Sequence, residues 1–143
     1  MNHNEFKTKW VWKPYDYDWI YWHQCVDLAR AYCRDVLKTP INTFSGSAIA
    51  WWETGSPFNV RWKRIYNGVN NYPKPWDVVF FDATPKNKYW HVAIVDEWTN
   101  VKTLFVVEQN VWSGNGSGAD DYIKLWKYNY KTPKVLGWFS LIR

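Results

Sequence analysis

Apolar residues fall into two regimes along this chain, helical spacing first and short runs of strand length afterwards. From Gln24 to about Leu37, the residues Val26, Leu28, Ala29, Ala31, Tyr32, Val36 and Leu37 recur at helical spacing. Thr39-Pro40 ends that helix, because a residue before proline is pushed out of the α region. A second, short helix is predicted over Ser47 to Glu53, closed by Gly55-Ser56-Pro57. Phe58–Pro75, with Asn70-Asn71 and two prolines, reads as irregular. Short β-branched or aromatic runs then follow at Asp77–Phe81, Trp90–Trp98, Thr103–Gln109, Tyr122–Tyr128 and Gly137–Ile142, parted by turn residues. Helices followed by an antiparallel sheet predict an α+β domain. A length of 143 residues suits one such domain over 1–143. The first residues, His3 among them, read as a frayed terminus.

Composition adds two constraints. The chain carries 13 Trp, 10 Tyr and 7 Phe, more rings than a core of this size needs, so some are expected to line an exposed groove. Trp51-Trp52 and the stretch Trp10–Trp22 are the candidate walls. The net charge of +5 favours anionic partners such as nucleic acid, a membrane surface or a charged cell wall. Lys and Arg are scattered rather than clustered, which argues against nucleic acid. The opening residues show no secretory signal, and no apolar run reaches the length of a membrane span, so no membrane insertion is expected. The two cysteines, Cys25 and Cys33, lie eight apart on one predicted helix, about 12 Å along its axis. That distance forbids a disulfide. A reduced chain made in the cytoplasm follows.

The segment Asp16-Tyr17-Asp18-Trp19-Ile20-Tyr21-Trp22-His23-Gln24-Cys25-Val26-Asp27-Leu28 concentrates the chemistry. It places Cys25 at a helix start, where the positive end of the helix dipole suits a nucleophilic thiolate. A nucleophile needs a base, and the chain has three histidines: His3, His23 and His91. His23 stands two residues before the cysteine, an awkward position for proton transfer. His91 opens the apolar run His91-Val92-Ala93-Ile94-Val95, and a strand histidine facing a helix-start cysteine is a general-base arrangement. The imidazole then needs a partner to fix its tautomer. Glu108, at the end of Phe105-Val106-Val107-Glu108, lies beside His91 if the two strands form a hairpin.

The pieces Gln24-Cys25-Val26-Asp27, Pro75-Trp76-Asp77-Val78-Val79-Phe80-Phe81, His91-Val92-Ala93 and Glu108-Gln109-Asn110 resemble a CHAP domain, a cysteine- and histidine-dependent amidohydrolase/peptidase. The resemblance covers nearly the whole chain and points to the phage endolysins that attack Gram-positive cell walls. Trp76 departs from it, since the family usually has glycine there. The resemblance implies a papain-like fold with N-terminal helices packed on a C-terminal antiparallel sheet. Carried over by position, Cys25 is the nucleophile and His91 the base and later the acid. Glu108 orients His91, and Asn110 is the further polar member, although these two can exchange roles. Gln24 and the backbone N–H of Cys25 would donate to the oxyanion.

The carboxylates ahead of Cys25 have a metal-ligand rhythm. Counting Asp16 as position 1, Asp18, Ile20, Trp22 and Asp27 fall at 3, 5, 7 and 12, the spacing of an EF-hand loop. Three features depart from it: Tyr21 replaces the usual glycine, Ile20 offers only its carbonyl, and position 12 is Asp rather than Glu. Certain endolysin CHAP domains resemble this segment and bind calcium through such a loop. The expectation is Ca²⁺ held by the carboxylates of Asp16, Asp18 and Asp27 and the carbonyls of Ile20 and Trp22. All donors are oxygens, so zinc is disfavoured, and no organic cofactor is expected.

Each feature also has an ordinary reading: buried packing for a cysteine, a satisfied structural role for a strand histidine, turn formation for Asp16 and Asp18. Their joint order favours a monomeric peptidoglycan hydrolase. The bond is either the N-acetylmuramoyl–L-alanine amide or a peptide bond of the stem or cross-bridge. Trp112, after Asn110, is the ring expected nearest to substrate. The enzyme would wait in the host cytoplasm until a holin releases it to the wall. Two alternatives stand beside this: a wall-binding module without chemistry, and a host autolysin with the same chemistry.

Overall fold

Helices come first and a sheet after them. The computed structural model describes residues 1–15, 25–38, 47–54, 62–84, 90–109, 122–131 and 134–141. The helices are α1 (His3–Trp10), α2 (Cys25–Tyr32) and α3 (Ala48–Thr54). The strands are β1 (Trp62–Tyr66), β2 (Val78–Phe81), β3 (His91–Val95), β4 (Leu104–Glu108), β5 (Lys124–Tyr128) and β6 (Val135–Leu141). They form one sheet in the order β1-β6-β2-β3-β4-β5, with every described pairing antiparallel.

From Cys25 to Leu37 the predicted helix is one continuous element in which α2 widens into a π-helical segment, Cys33–Leu37. Lys38 closes it in the left-handed conformation (φ 56°), returning its N–H to the Cys33 carbonyl. All eight residues of α2 are buried. Asp27 and Arg30 are among them, an ion pair with 3.8 Å between Arg30 Nη1 and Asp27 Oδ1. A buried carboxylate at that position needs such a charge beside it.

Strand alternation gives the sheet two apolar faces. Val78, Phe80, Val92, Ile94 and Val107 join the cluster made with α2, α3 and Phe6 of α1. Val79, Phe81, Ala93, Val95, Leu104 and Val106 form the second cluster with Val135 and Trp138. Trp51 and Trp52 of α3 lie in the first cluster, with exposures of 0% and 7%. They are therefore core residues and not groove walls. Gly137 of β6 lets Trp52 and β1 approach, since a Cβ there would collide with the Ile65 carbonyl oxygen and the Trp52 ring.

Two segments differ from the sequence reading. The stretch 58–75 contains β1, an edge strand paired with β6. Its Trp-Lys-Arg-Ile-Tyr pattern does not alternate strictly, because an edge strand faces solvent along much of its length. The N-terminus is not frayed. Asn2 accepts the Glu5 N–H at 2.9 Å while Glu5 accepts the Asn2 N–H at 2.8 Å, a capping box that starts α1. Lys7 anchors the helix to the buried Asp96 at 2.6 Å, and His3 stacks on Trp76 with ring centroids 3.9 Å apart. No helix among the described residues is long and apolar enough to cross a membrane.

Candidate active site

Antiparallel pairing of β3 with β4 sets Ile94 opposite Val107, which carries the start of β3 toward the end of β4. His91 and Glu108 thereby meet: His91 Nε2 lies 3.0 Å from Glu108 Oε2. The residue before His91, Trp90, has a positive φ of 66°, a left-handed kink that turns the chain into the strand. Glu108 is completely buried, and the Tyr128 hydroxyl donates to both of its carboxylate oxygens at 2.8 Å. The sequence reading assigned Tyr128 nothing. A tyrosine closing a strand of alternating character carries no mark of such a role, because its hydroxyl partner is set by register alone.

The other imidazole nitrogen, Nδ1, is buried with no hydrogen-bond partner of good geometry. Cys25, first residue of α2, interacts with the same ring. Burial is the largest single influence on the imidazole and pulls its pKa down; Cys25 and Glu108 pull it up and prevail, raising it to about 9. Glu108 thus occupies Nε2. Cys33 differs from Cys25. It has no exposure, and burial pushes its thiol well above the ordinary range, which suits packing.

The segment that leads toward Cys25 is pinned at its start. Trp12 donates its N–H to the Ile123 carbonyl and Ile123 returns its own to Lys13. Gln109, with no exposure, then pairs with Tyr15: its Oε1 accepts the Tyr15 N–H at 2.9 Å and its Nε2 donates to the Tyr15 carbonyl at 2.7 Å. Gln109 was visible in Glu108-Gln109-Asn110, but its partner, 94 residues away, was not.

Asp16, Asp18, Ile20, Trp22, His23, Gln24, Asn110 and Trp112 lie outside the described residues. Of the calcium donors only Asp27 is described, buried in the first turn of α2 beside Arg30. Among the described residues no group of three or more His, Cys, Asp or Glu side chains is placed to hold a metal. The oxygen donor set, with a buried carboxylate as its last member, has the chemistry of a hard cation site. Of the second proposed groove stretch, Trp10 is half-buried against the core, where it meets Tyr15 at 4.4 Å between centroids, and Trp12 is 68% exposed.

The family model of the CHAP domain matches residues 12–110. This chain belongs to the CHAP domain family. Endolysin PlyTW of Staphylococcus phage Twort is 32% identical over 108 residues, covering 71% of this chain and 21% of that protein. The chain thus spans about a fifth of that relative's length. Among solved structures, the wild-type endolysin LysIME-EF1 superposes over 99% of this chain and 65% of its own, with a TM-score of 0.76 at 22% identity. Ly7917 solved with the hydrolysing product of MDP gives a TM-score of 0.57 at 20% identity, over 83% of this chain and 54% of its own. At such identities these structures establish the fold, the papain-like α+β arrangement of CHAP endolysins. Within the CHAP match lie Cys25, His91 and Glu108; α1, β5 and β6 lie outside it.

Proposed function

We propose that this CHAP domain hydrolyses an amide bond of bacterial peptidoglycan, with Cys25 as nucleophile and His91 as proton carrier. One observation carries the reading: a buried imidazole held at Nε2 by a buried carboxylate and interacting with the cysteine at the start of α2. That is the geometry of an acyl-transfer site.

Cys25 Sγ attacks as the thiolate and bonds to the substrate carbonyl carbon, while His91, held protonated by its surroundings, keeps the proton on Nδ1. The carbonyl electron pair moves onto oxygen, where the N–H of Cys25 and the Gln24 side chain are the donors. Collapse of this intermediate breaks the C–N bond, and the departing amine receives the proton from Nδ1. Water then attacks the thioester, gives its proton to Nδ1, and the C–S bond breaks. Glu108 accepts the hydrogen bond of Nε2–H throughout and stabilises the imidazolium. Asn110 is the further polar member, and Trp112 a ring of the substrate groove. The bond cut is the N-acetylmuramoyl–L-alanine amide or a peptide bond of the stem or cross-bridge. The chain acts as a monomer on the wall after release from the host cytoplasm, and its net charge of +5 favours the anionic wall.

Calcium belongs to the same proposal. Asp16, Asp18 and Asp27 with the carbonyls of Ile20 and Trp22 would hold it, supported by their spacing. When bound, the ion would rigidify the segment leading into Cys25. Chelation is then expected to lower the melting temperature and calcium to restore it; unchanged melting on both steps removes calcium from the account.

The decisive assay is release of new amino termini from purified walls. Cys25→Ser should release none above background while keeping the native circular dichroism spectrum. Release at the wild-type rate would exclude cysteine chemistry. Wall binding by the wild type without any release would make the chain a binding module. Mass spectrometry of the fragments names the bond.

A further inference from the structure

We infer that Tyr128 is a positioning residue of this site, its hydroxyl holding the Glu108 carboxylate turned toward His91. The inference rests on the roles proposed for Cys25, His91 and Glu108. An ionised carboxylate has about four lone-pair sites and is costly to bury with few donors. Glu108 has no exposure, and His91 occupies only Oε2. Tyr128 Oη lies 2.8 Å from Oε1 and 2.8 Å from Oε2, so one hydroxyl straddles the carboxylate and fixes its plane.

The tyrosine is built to remain a donor. Burial, and then the charge of Glu108, push its pKa well up, which keeps the phenol protonated wherever the enzyme works. Phe81 ties the two ends together, its ring centroid 5.2 Å from Tyr128 and 5.6 Å from His91. Across the sheet Tyr128 pairs with Leu104, four residues before Glu108, so the hydroxyl reaches its target along the strands rather than across them. A hydroxyl used for packing alone would not need to meet both oxygens of the one carboxylate that touches the imidazole.

Without this donor the Glu108 carboxylate is free to turn away from Nε2, and His91 loses one of the influences that hold its pKa up. Tyr128→Phe should therefore lower hydrolysis roughly tenfold and move its basic limb below that of the wild type, the size expected for one hydrogen bond to a charged group. In a Glu108→Gln background the same substitution should cause no further loss, because the group it acts through is gone. The test measures amine release against pH for wild type, Tyr128→Phe, Glu108→Gln, the double variant and Cys25→Ser, with near-ultraviolet circular dichroism on each. A basic limb left at the wild-type position, an additive loss in the double variant, a wild-type rate or a lost native spectrum in Tyr128→Phe would each overturn the inference. An active Cys25→Ser would instead overturn the cysteine reading beneath it.

Discussion

Gln109 meets the backbone of Tyr15 as a neighbouring strand would, accepting its N–H at 2.9 Å and donating to its carbonyl at 2.7 Å. The residue after Glu108 is thereby fastened to the residue before Asp16. The end of β4, which carries the histidine's partner, and the start of the segment running to Cys25 are held in one frame.

Gln109→Leu should lose both bonds and leave the Tyr15 peptide unsatisfied against a buried apolar group. The expected destabilisation is about 2–3 kcal/mol. Wall hydrolysis at 25 °C should fall by up to about a hundredfold while the protein stays folded, because a shift of about 1 Å at a nucleophile is that costly. Denaturant unfolding and initial rates check the two parts. An unchanged rate would show that the clamp does not position Cys25.

Trp76 stands where the family usually carries glycine, and its φ of 77° shows why glycine suits the place. The strain of a left-handed residue is about 1–2 kcal/mol. Against it stand the His3 stack at 3.9 Å, the Lys7 ammonium 5.9 Å from the ring, and packing on the helix cluster. Truncating a fully buried Trp costs about 3–5 kcal/mol, and the half-buried Trp76 somewhat less. Trp76→Gly should therefore destabilise by about 1–2 kcal/mol even though it relieves the backbone. A melting temperature above wild type would contradict this.

Gly137→Ala puts a methyl against the Ile65 carbonyl and the Trp52 ring. Neither the β1 backbone nor the core indole can yield freely, so the cost is about 1–3 kcal/mol. Calorimetry should show a lower melting temperature with little change in rate per folded molecule.

The parts legible in the sequence were those with strong local patterning. His91-Val92-Ala93-Ile94-Val95 and Leu104–Glu108 announced two buried strands, and their hairpin was enough to join His91 to Glu108. The helix carrying Cys25 showed in its apolar spacing. β1 did not, because an edge strand with Lys63 and Arg64 lacks alternation. α1 buries only Phe6, too little to mark it as packed, and its anchors Asp96 and Trp76 are remote in sequence. Trp51 and Trp52 were misread as groove walls, since composition cannot distinguish a ring in a core from one on a surface. Tyr128 and Gln109 act through partners that only the folded register supplies.

The pKa of about 9 for His91 lies above the ordinary 6.5. A group held more basic in the fold contributes stability that is complete below about pH 6.5 and is lost as pH climbs through about 9. Melting temperature should therefore decline over that interval. Hydrolysis should fall along a basic limb near 9, as the imidazolium that protonates the leaving amine disappears. Glu108→Gln removes one of the influences that raise the pKa, so its limb should move to lower pH. A limb at or above the wild-type position would contradict the assignment.

Cys25 is 7% exposed and Cys33 has no exposure, so the two thiols can be told apart chemically. Treating the native protein with iodoacetamide, mapping the label by mass spectrometry and measuring residual hydrolysis of walls tests the proposed chemistry most directly. The account predicts one label, on Cys25, with activity lost in proportion to labelling and Cys33 untouched. Full labelling of Cys25 with hydrolysis intact would contradict it.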